Sequence, residues 1–302
     1  MKKFAILLVL VAGSLWGTTG IYIRHLNAMG FEAMEIVAVK SILTSILALL
    51  LLMLVDRNLL KIRKNDVWIF VGNGTFSILL FNFCYFQAIS QTSLAIAVSL
   101  LYTFPTFVLI LSRIMFKEEI TRKKVIAIAS AFLGCILVAS SGNFNGTLSY
   151  VGLMYGLCAG FGYALYSIFS RFAIIRGYHP MTITLYTFVF ATLGSVPLVQ
   201  YSEIRNLFTM QPTETMGNFL FLALIATLIP YILFTMGLSW IENSRAAVIV
   251  SVEPIVATVL GVLLFREVPT FSNIVGMVLI ITAIIILNTK FVPALSKSHS
   301  KQ

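Results

Sequence analysis

Two charged side chains stand where charge is costly. Glu253 falls about ten residues into one long apolar stretch, and Lys40 several residues into another. A charged group at the centre of a hydrocarbon layer costs ~2.5–3.5 kcal/mol on insertion scales, so such groups usually face a cavity or a partner. Pro254 follows Glu253. It supplies no backbone N–H and disturbs the preceding helical turn, which bends a helix and can turn polar backbone toward a cavity. A carboxyl there could carry a proton or hold a cationic ligand group. The structural alternative is a protonated acid bonded to a neighbouring helix. Lys40 has two readings as well. Its stem can snorkel to the interface, or its ammonium pairs with Glu253 or attracts an anionic substrate group.

Weaker polar and aromatic candidates surround these two. Asn82 shares its stretch with Asn73 and Gln87, and interhelical hydrogen bonding explains them as well as ligand contact does. Tyr102 and Pro105 lie midway along the fourth stretch, and Trp16-Gly17 lies in the first, with Tyr163 at the matching place in the sixth. These aromatics either wall a pocket or pack a core. Gly156, Gly160 and Gly162 suit close helix approach first and a binding surface second. Enzyme chemistry finds no support: Glu253 is the only deep carboxylate, and His25, His179 and His299 lie in three separate places. Cys84, Cys135 and Cys158 sit in apolar runs without CxxC or Cys/His spacing, which suits packing rather than redox or metal work. No catalytic residue, metal or cofactor is expected.

The elements that must position these residues are membrane helices. The chain is 59% hydrophobic and 11% charged, with a mean hydropathy of +0.97, against about 25% charged for a soluble domain. The net charge of +10 does not indicate a nucleic-acid partner, because the basic residues cluster at span ends. Ten spans are predicted at 4–23, 33–55, 67–87, 91–115, 123–141, 150–170, 180–199, 217–238, 243–265 and 271–290, each about the ~20 residues that a hydrocarbon layer requires. Breakers mark the turns at 142–146, His179-Pro180 and Gln211-Pro212, and residues 200–216 have room for a short interfacial helix. Lys2-Lys3 before an apolar run has the form of a signal peptide. The run continues through Trp16 and Tyr22, however, and is expected to be retained as the first span.

The chain repeats itself. At a shift of 147, Ile21, Arg24 and Met34 fall on Ile168, Arg171 and Met181. At a shift of 149, Ala97, Pro105, Phe116, Glu118 and Thr121 fall on Ala246, Pro254, Phe265, Glu267 and Thr270. The expected units are residues 1–146 and 147–290, five spans each, followed by a basic cytoplasmic tail at 291–302. Five spans per unit insert the second unit upside down relative to the first, an arrangement that places transporter sites at the midplane. Neither deep charge is duplicated: Lys40 aligns with Thr187 and Glu253 with Phe104. With the N-terminus inside, sixteen Lys and Arg fall on the inner side, three (Arg24, Arg205, Arg266) on the outer, and Lys40 and Arg113 within spans. That asymmetry assigns both termini to the cytoplasm. Arg24 and Arg171 read as interface anchors, and Lys117-Glu118 and Arg266-Glu267 as turn-stabilising pairs.

These residues resemble the drug/metabolite transporter superfamily, EamA type, over about residues 4–290. The likeness rests on Trp16-Gly17, on Glu253-Pro254, and on the acidic turns Phe-Lys-Glu-Glu-Ile-Thr at 116–121 and Phe-Arg-Glu-Val-Pro-Thr at 265–270. It implies a ten-helix carrier of small metabolites, often amino acids or related compounds, commonly moved outward. It also implies a central cavity among spans one to four and six to nine, approached by Trp16, Tyr102, Tyr163 and Glu253, with spans five and ten peripheral. Two departures stand out. Lys117 and Arg266 replace the small residue common before the acidic turn's Glu, and Lys40 replaces a common Arg, offering a point charge rather than a two-bond fork.

The expectation is therefore an all-α integral membrane protein of the plasma membrane, built as two inverted five-helix repeats around a cavity. Its function would be alternating-access secondary transport of a small metabolite, outward and coupled to protons. The alternative is a passive facilitator or channel for small polar solutes. Expected partners are the small-molecule substrate, the lipid bilayer, protons and a second copy of the chain as a homodimer. No GxxxxGK[ST] motif occurs in the sequence to bind a nucleotide.

Overall fold

The computed structural model describes residues 2–140 and 149–288. The turn at 142–146, the boundary between repeats and the basic tail lie outside the described residues. Ten helical spans are long and apolar enough to cross a membrane: Lys2–Ala28, Ala33–Val55, Lys64–Gln91, Leu94–Phe116, Arg122–Ser140, Tyr150–Ile175, Pro180–Leu198, Pro212–Leu238, Asn243–Phe265 and Phe271–Asn288. They are named spans one to ten in that order. The predicted spans match these helices, with the ends of spans one, three, six and eight extended, one and six as far as Ala28 and Ile175. In spans three and eight the extra length carries polar residues (Lys64, Asp66, Gln91, Thr213, Glu214), which hydropathy alone places outside the membrane. Tyr201–Met210 forms a separate short helix before Pro212 opens span eight. It packs Ile204, Leu207 and Phe208 onto Leu26, Phe31 and Phe219.

The spans start where the chain supplies caps. Glu32 and Glu35 form a reciprocal capping box at span two, and the Ser93 and Ser149 hydroxyls accept first-turn N–H groups at spans four and six. These bonds satisfy donors that a helix start leaves without partners.

Several spans are interrupted, and the interruptions follow the repeat. Span four breaks at Tyr102–Thr103 and resumes at Phe104-Pro105. Span nine breaks at Ser251–Val252 and resumes at Glu253-Pro254. Each proline thus sits in the first turn of a second half-helix, where its missing N–H costs no hydrogen bond. Spans three and eight each contain a wide π-helical stretch, at Gly72–Leu79 and Leu224–Leu228, a feature frequent at functional sites. Span one breaks after Trp16, whereas its counterpart, span six, runs unbroken.

The core lies between the repeats. Trp16, Tyr102, Phe104, Tyr166, Phe188, Tyr231, Phe234, Leu238 and residues 246–250 belong to one buried cluster. Close backbone approach explains the glycines of span six. A Cβ on Gly160 would lie 2.6 Å from Thr103 Oγ1 and 2.9 Å from the Leu100 carbonyl, and one on Gly162 would lie 3.1 Å from the Phe81 backbone. Asn73 joins the repeats, donating to Ser170 Oγ at 3.1 Å and Thr187 Oγ1 at 2.9 Å. Leu, Ile, Val and Phe side chains cover the outward faces of the spans.

Candidate functional site

A cavity of about 540 Å³ lies between the repeats. Its wall includes Glu253, Lys40, Trp16, Gly17, Tyr102, Tyr163, Asn82 and Pro254, all singled out from the sequence, whereas Asn73, Gln87 and the glycines of span six do not line it. Pro105 does not line it. It stands one residue past Phe104, whose ring packs 4.6 Å from that of Tyr163. The lining residues come from the halves of the spans remote from Lys2, and reach Leu94, Glu267 and Asn273 at the span ends. The cavity therefore opens on the face opposite the N-terminus. That face is called the open face below, and the other the terminal face.

Glu253 is the first residue of its half-helix, with the helix break beneath it. The positive end of the helix dipole favours negative charge at such a position. The Tyr163 hydroxyl donates to Glu253 Oε2 at 3.2 Å. Gly17 makes this arrangement sterically feasible, since a Cβ on it would lie 2.8 Å from the Glu253 carbonyl oxygen. The missing side chain lets span one press against the backbone that carries the acid.

Lys40 lines the same cavity from span two, and among the described residues it forms no ion pair. An acid and a base thus share a chamber with no ion pair between them. Asn82 has its amide tied to its own helix, donating to the Ile78 carbonyl at 2.7 Å.

The rest of the wall is largely aromatic. Trp16 meets Tyr231 edge to face at 5.0 Å, Phe234 at 5.4 Å and Tyr163 at 6.5 Å between ring centroids. These rings close the cavity floor toward the terminal face. Below them Tyr166 and Thr235 share a 2.7 Å hydroxyl hydrogen bond. Tyr231, Phe81 and Tyr85 also line the cavity and were not singled out from the sequence. A signal existed for Tyr231, which is the image of Asn82 at the 149 shift.

Three expectations need correction. Spans five and ten are not wholly peripheral, because Val138, Ala139 and Asn273 reach the cavity mouth. The acidic turns do not work as neighbouring ion pairs either. Lys117 and Arg266 adopt left-handed backbone at φ 57° and 54° to end their helices, and this sends Glu118 and Glu267 across to the other repeat. Nor are Arg24 and Arg171 simple interface anchors. Arg24 pairs with Glu267 at 3.0 Å and covers the Phe265 ring. Arg171 donates to Asn243 Oδ1 at 2.8 Å and to the Ile241 carbonyl.

On the terminal face Glu118 accepts from Asn243 N–H at 2.8 Å, Ser244 N–H at 3.4 Å and Ser244 Oγ at 2.7 Å. Buried Lys124 lies 3.8 Å from Glu118 and 2.8 Å from Glu242. These bonds bind span four to the start of span nine and seal that face. Among the described residues no cluster of three His, Cys, Asp or Glu could hold a metal.

Comparison with known proteins agrees with this architecture. The model of the EamA-like transporter family matches the chain twice, at residues 3–140 and 150–289. The uncharacterized transporter YwfM of Bacillus subtilis (strain 168) is 26% identical over 287 residues, covering 93% of both chains. An uncharacterized transporter of Archaeoglobus fulgidus is 28% identical over 214 residues, covering 68% of this chain and 73% of its own. A solved crystal structure superposes with a TM-score of 0.77 over 94% of this chain and 96% of that one, at 15% identity, a likeness of fold alone. Ten apolar spans in two repeats, interrupted at matching places and matched twice by one family model, make this chain a member of the EamA-like transporter family.

Proposed function

We propose that this transporter is a secondary carrier that exports small metabolites bearing both a cationic and an anionic group on an apolar body, such as amino acids. The observation that carries the reading is the coexistence of Glu253 and Lys40, unpaired with each other, on the wall of one aromatic cavity. An ammonium group would meet Glu253 and Tyr163, a carboxylate would meet Lys40, and the side chain would lie against Trp16, Tyr85, Tyr102 and Tyr231. Ordering the opposite charges in a low-dielectric chamber selects such ligands over singly charged ones, because an ion left unpaired there pays its full desolvation cost.

The cycle would alternate access, with the two repeats rocking about the midplane so that the aromatic floor opens as the mouth closes. Proton coupling falls to Glu253, which can neutralise itself when no cationic ligand group is present. The positive-inside distribution supports placing the terminal face in the cytoplasm of the plasma membrane. The open face would then be external.

The test is counterflow in proteoliposomes with a panel of labelled amino acids and related zwitterions. Exchange of at least one zwitterion is expected, together with a raised half-saturation concentration in Lys40→Ala. Exchange confined to solutes without a carboxylate, or unchanged affinity in Lys40→Ala, refutes this reading of the site.

A further inference from the structure

The two acidic turns are built alike and bonded differently. Glu118 N–H donates to the Ser112 carbonyl at 3.2 Å, and Glu267 N–H to the Gly261 carbonyl at 3.2 Å, matching pairs at a shift of 149. The following helices begin alike too, with Thr121 Oγ1 accepting from Lys124 N–H and Thr270 Oγ1 from Asn273 N–H, both at 3.3 Å. The side chains then diverge. Glu118 is 8% exposed against the first turn of span nine, whereas Glu267 is 54% exposed and pairs with Arg24. The arginines diverge in step. Arg171 reaches across to Asn243 and Ile241, while its image, Arg24, holds Glu267.

We propose that Glu118 and Glu267 are paired latches of the transport pathway. Each would alternate between the arginine of its own face and the first turn of the half-helix opposite, one latched while the other is released. This rests on the alternating-access reading above. The symmetry assigns the second set of contacts. The images of Asn243 and Ser244 are Leu94 and Ala95, at the start of span four, and the image of the Ile241 carbonyl is that of Thr92. When the open face closes, Glu267 takes the N–H groups of Leu94 and Ala95, and Arg24 takes the Thr92 carbonyl. On the terminal face Glu118 then leaves Asn243 and Ser244 for Arg171. First-turn N–H groups lack intrahelical partners and carry the positive end of the helix dipole, so either carboxylate finds a suitable seat there.

The repeats differ at one position that sets the balance. Lys124 braces the latched Glu118 and Glu242, and its image is the uncharged Asn273. The terminal-face latch is the stronger, which accounts for a resting state closed on that face and open on the other.

The test uses two reporter cysteines in protein whose Cys84, Cys135 and Cys158 are replaced by alanine. Ser167→Cys lies buried beside the terminal-face latch, where the Ser167 carbonyl accepts from Asn243 Nδ2. Val98→Cys lies in the open cavity. Labelling by a membrane-impermeant maleimide is followed from each face of oriented vesicles. In Glu118→Gln the Ser167→Cys rate is expected to rise about tenfold, the shift given by losing ~1.4 kcal/mol of charge-assisted bonding, and the Val98→Cys rate to fall. Ser244→Ala, which removes a single bond, should give a smaller rise. Arg24→Gln frees Glu267 to latch and should likewise protect Val98→Cys.

Unchanged rates in folded Glu118→Gln and Arg24→Gln overturn the latch. Should Glu118→Gln aggregate, Ser244→Ala decides, and an unchanged Ser167→Cys rate there overturns it equally. Labelling needs no substrate. Shifted labelling without counterflow in the parent therefore overturns the transport reading alone, and counterflow with unshifted labelling overturns the latch alone.

Discussion

Gly17→Ala adds one methyl group at the point where span one meets the acid-bearing backbone. The new Cβ would stand 2.8 Å from the Glu253 carbonyl oxygen and 2.8 Å from Val256 Cβ. Both neighbours are held by span nine, so neither can yield by a side-chain rotation. Overpacking of this kind costs about 1–3 kcal/mol. Melting falls by roughly 2–4 °C per kcal/mol in a protein of a few hundred residues, so a loss of about 2–12 °C is expected. Gly20 supplies the control, because it lines the same cavity three residues on and a Cβ there meets nothing within 4 Å. Gly20→Ala should melt with the parent or slightly above it, since alanine costs less entropy in a helix by about 0.5–1 kcal/mol. The assay is thermal unfolding of the purified pair in detergent, followed by tryptophan fluorescence and aggregation, with counterflow measured on the same preparations. Transport should fall in Gly17→Ala beyond what melting explains, because the shift displaces Glu253 itself. A Gly17→Ala protein that melts and transports like Gly20→Ala would refute the close-approach reasoning.

Further expectations concern single bonds and charges. Tyr163→Phe removes the hydroxyl that donates to Glu253 Oε2, and counterflow should drop several-fold while melting stays within about 1 kcal/mol of the parent. Asn73→Ala breaks two buried bonds between the repeats and should destabilise by about 1–3 kcal/mol, read as a lower melting temperature with substrate affinity unchanged. Lys40→Arg keeps the charge and should retain measurable exchange where Lys40→Ala loses affinity, with half-saturation concentrations separating the two.

What the sequence revealed and what it withheld follow from the range of each interaction. Span positions, the proline-led half-helices and the acidic turns depend on local composition and on matching residues within each repeat, so they were legible. Glu253 and Lys40 were legible because intramembrane charge stands out against an apolar background. The partners of Glu118, Glu267, Arg24 and Arg171 were not. Similar turn sequences reach different neighbours in the two repeats, and those neighbours are supplied by the assembled bundle. Spans three and eight ran longer than hydropathy suggested because polar first turns at Lys64–Asp66 and Pro212–Glu214 continue the helix beyond the apolar stretch. The role of Gly17 was hidden for a related reason. A missing side chain signals nothing until the backbone it admits is in place.

The most direct measurement is accumulation of a zwitterionic substrate in proteoliposomes under an imposed pH gradient, comparing the parent with Glu253→Gln. The parent should concentrate substrate against its own gradient, whereas Glu253→Gln should at most equilibrate it and ignore the pH difference. Equal, gradient-driven accumulation by both proteins would contradict the account, and equilibration without accumulation in the parent would mark it as a passive facilitator.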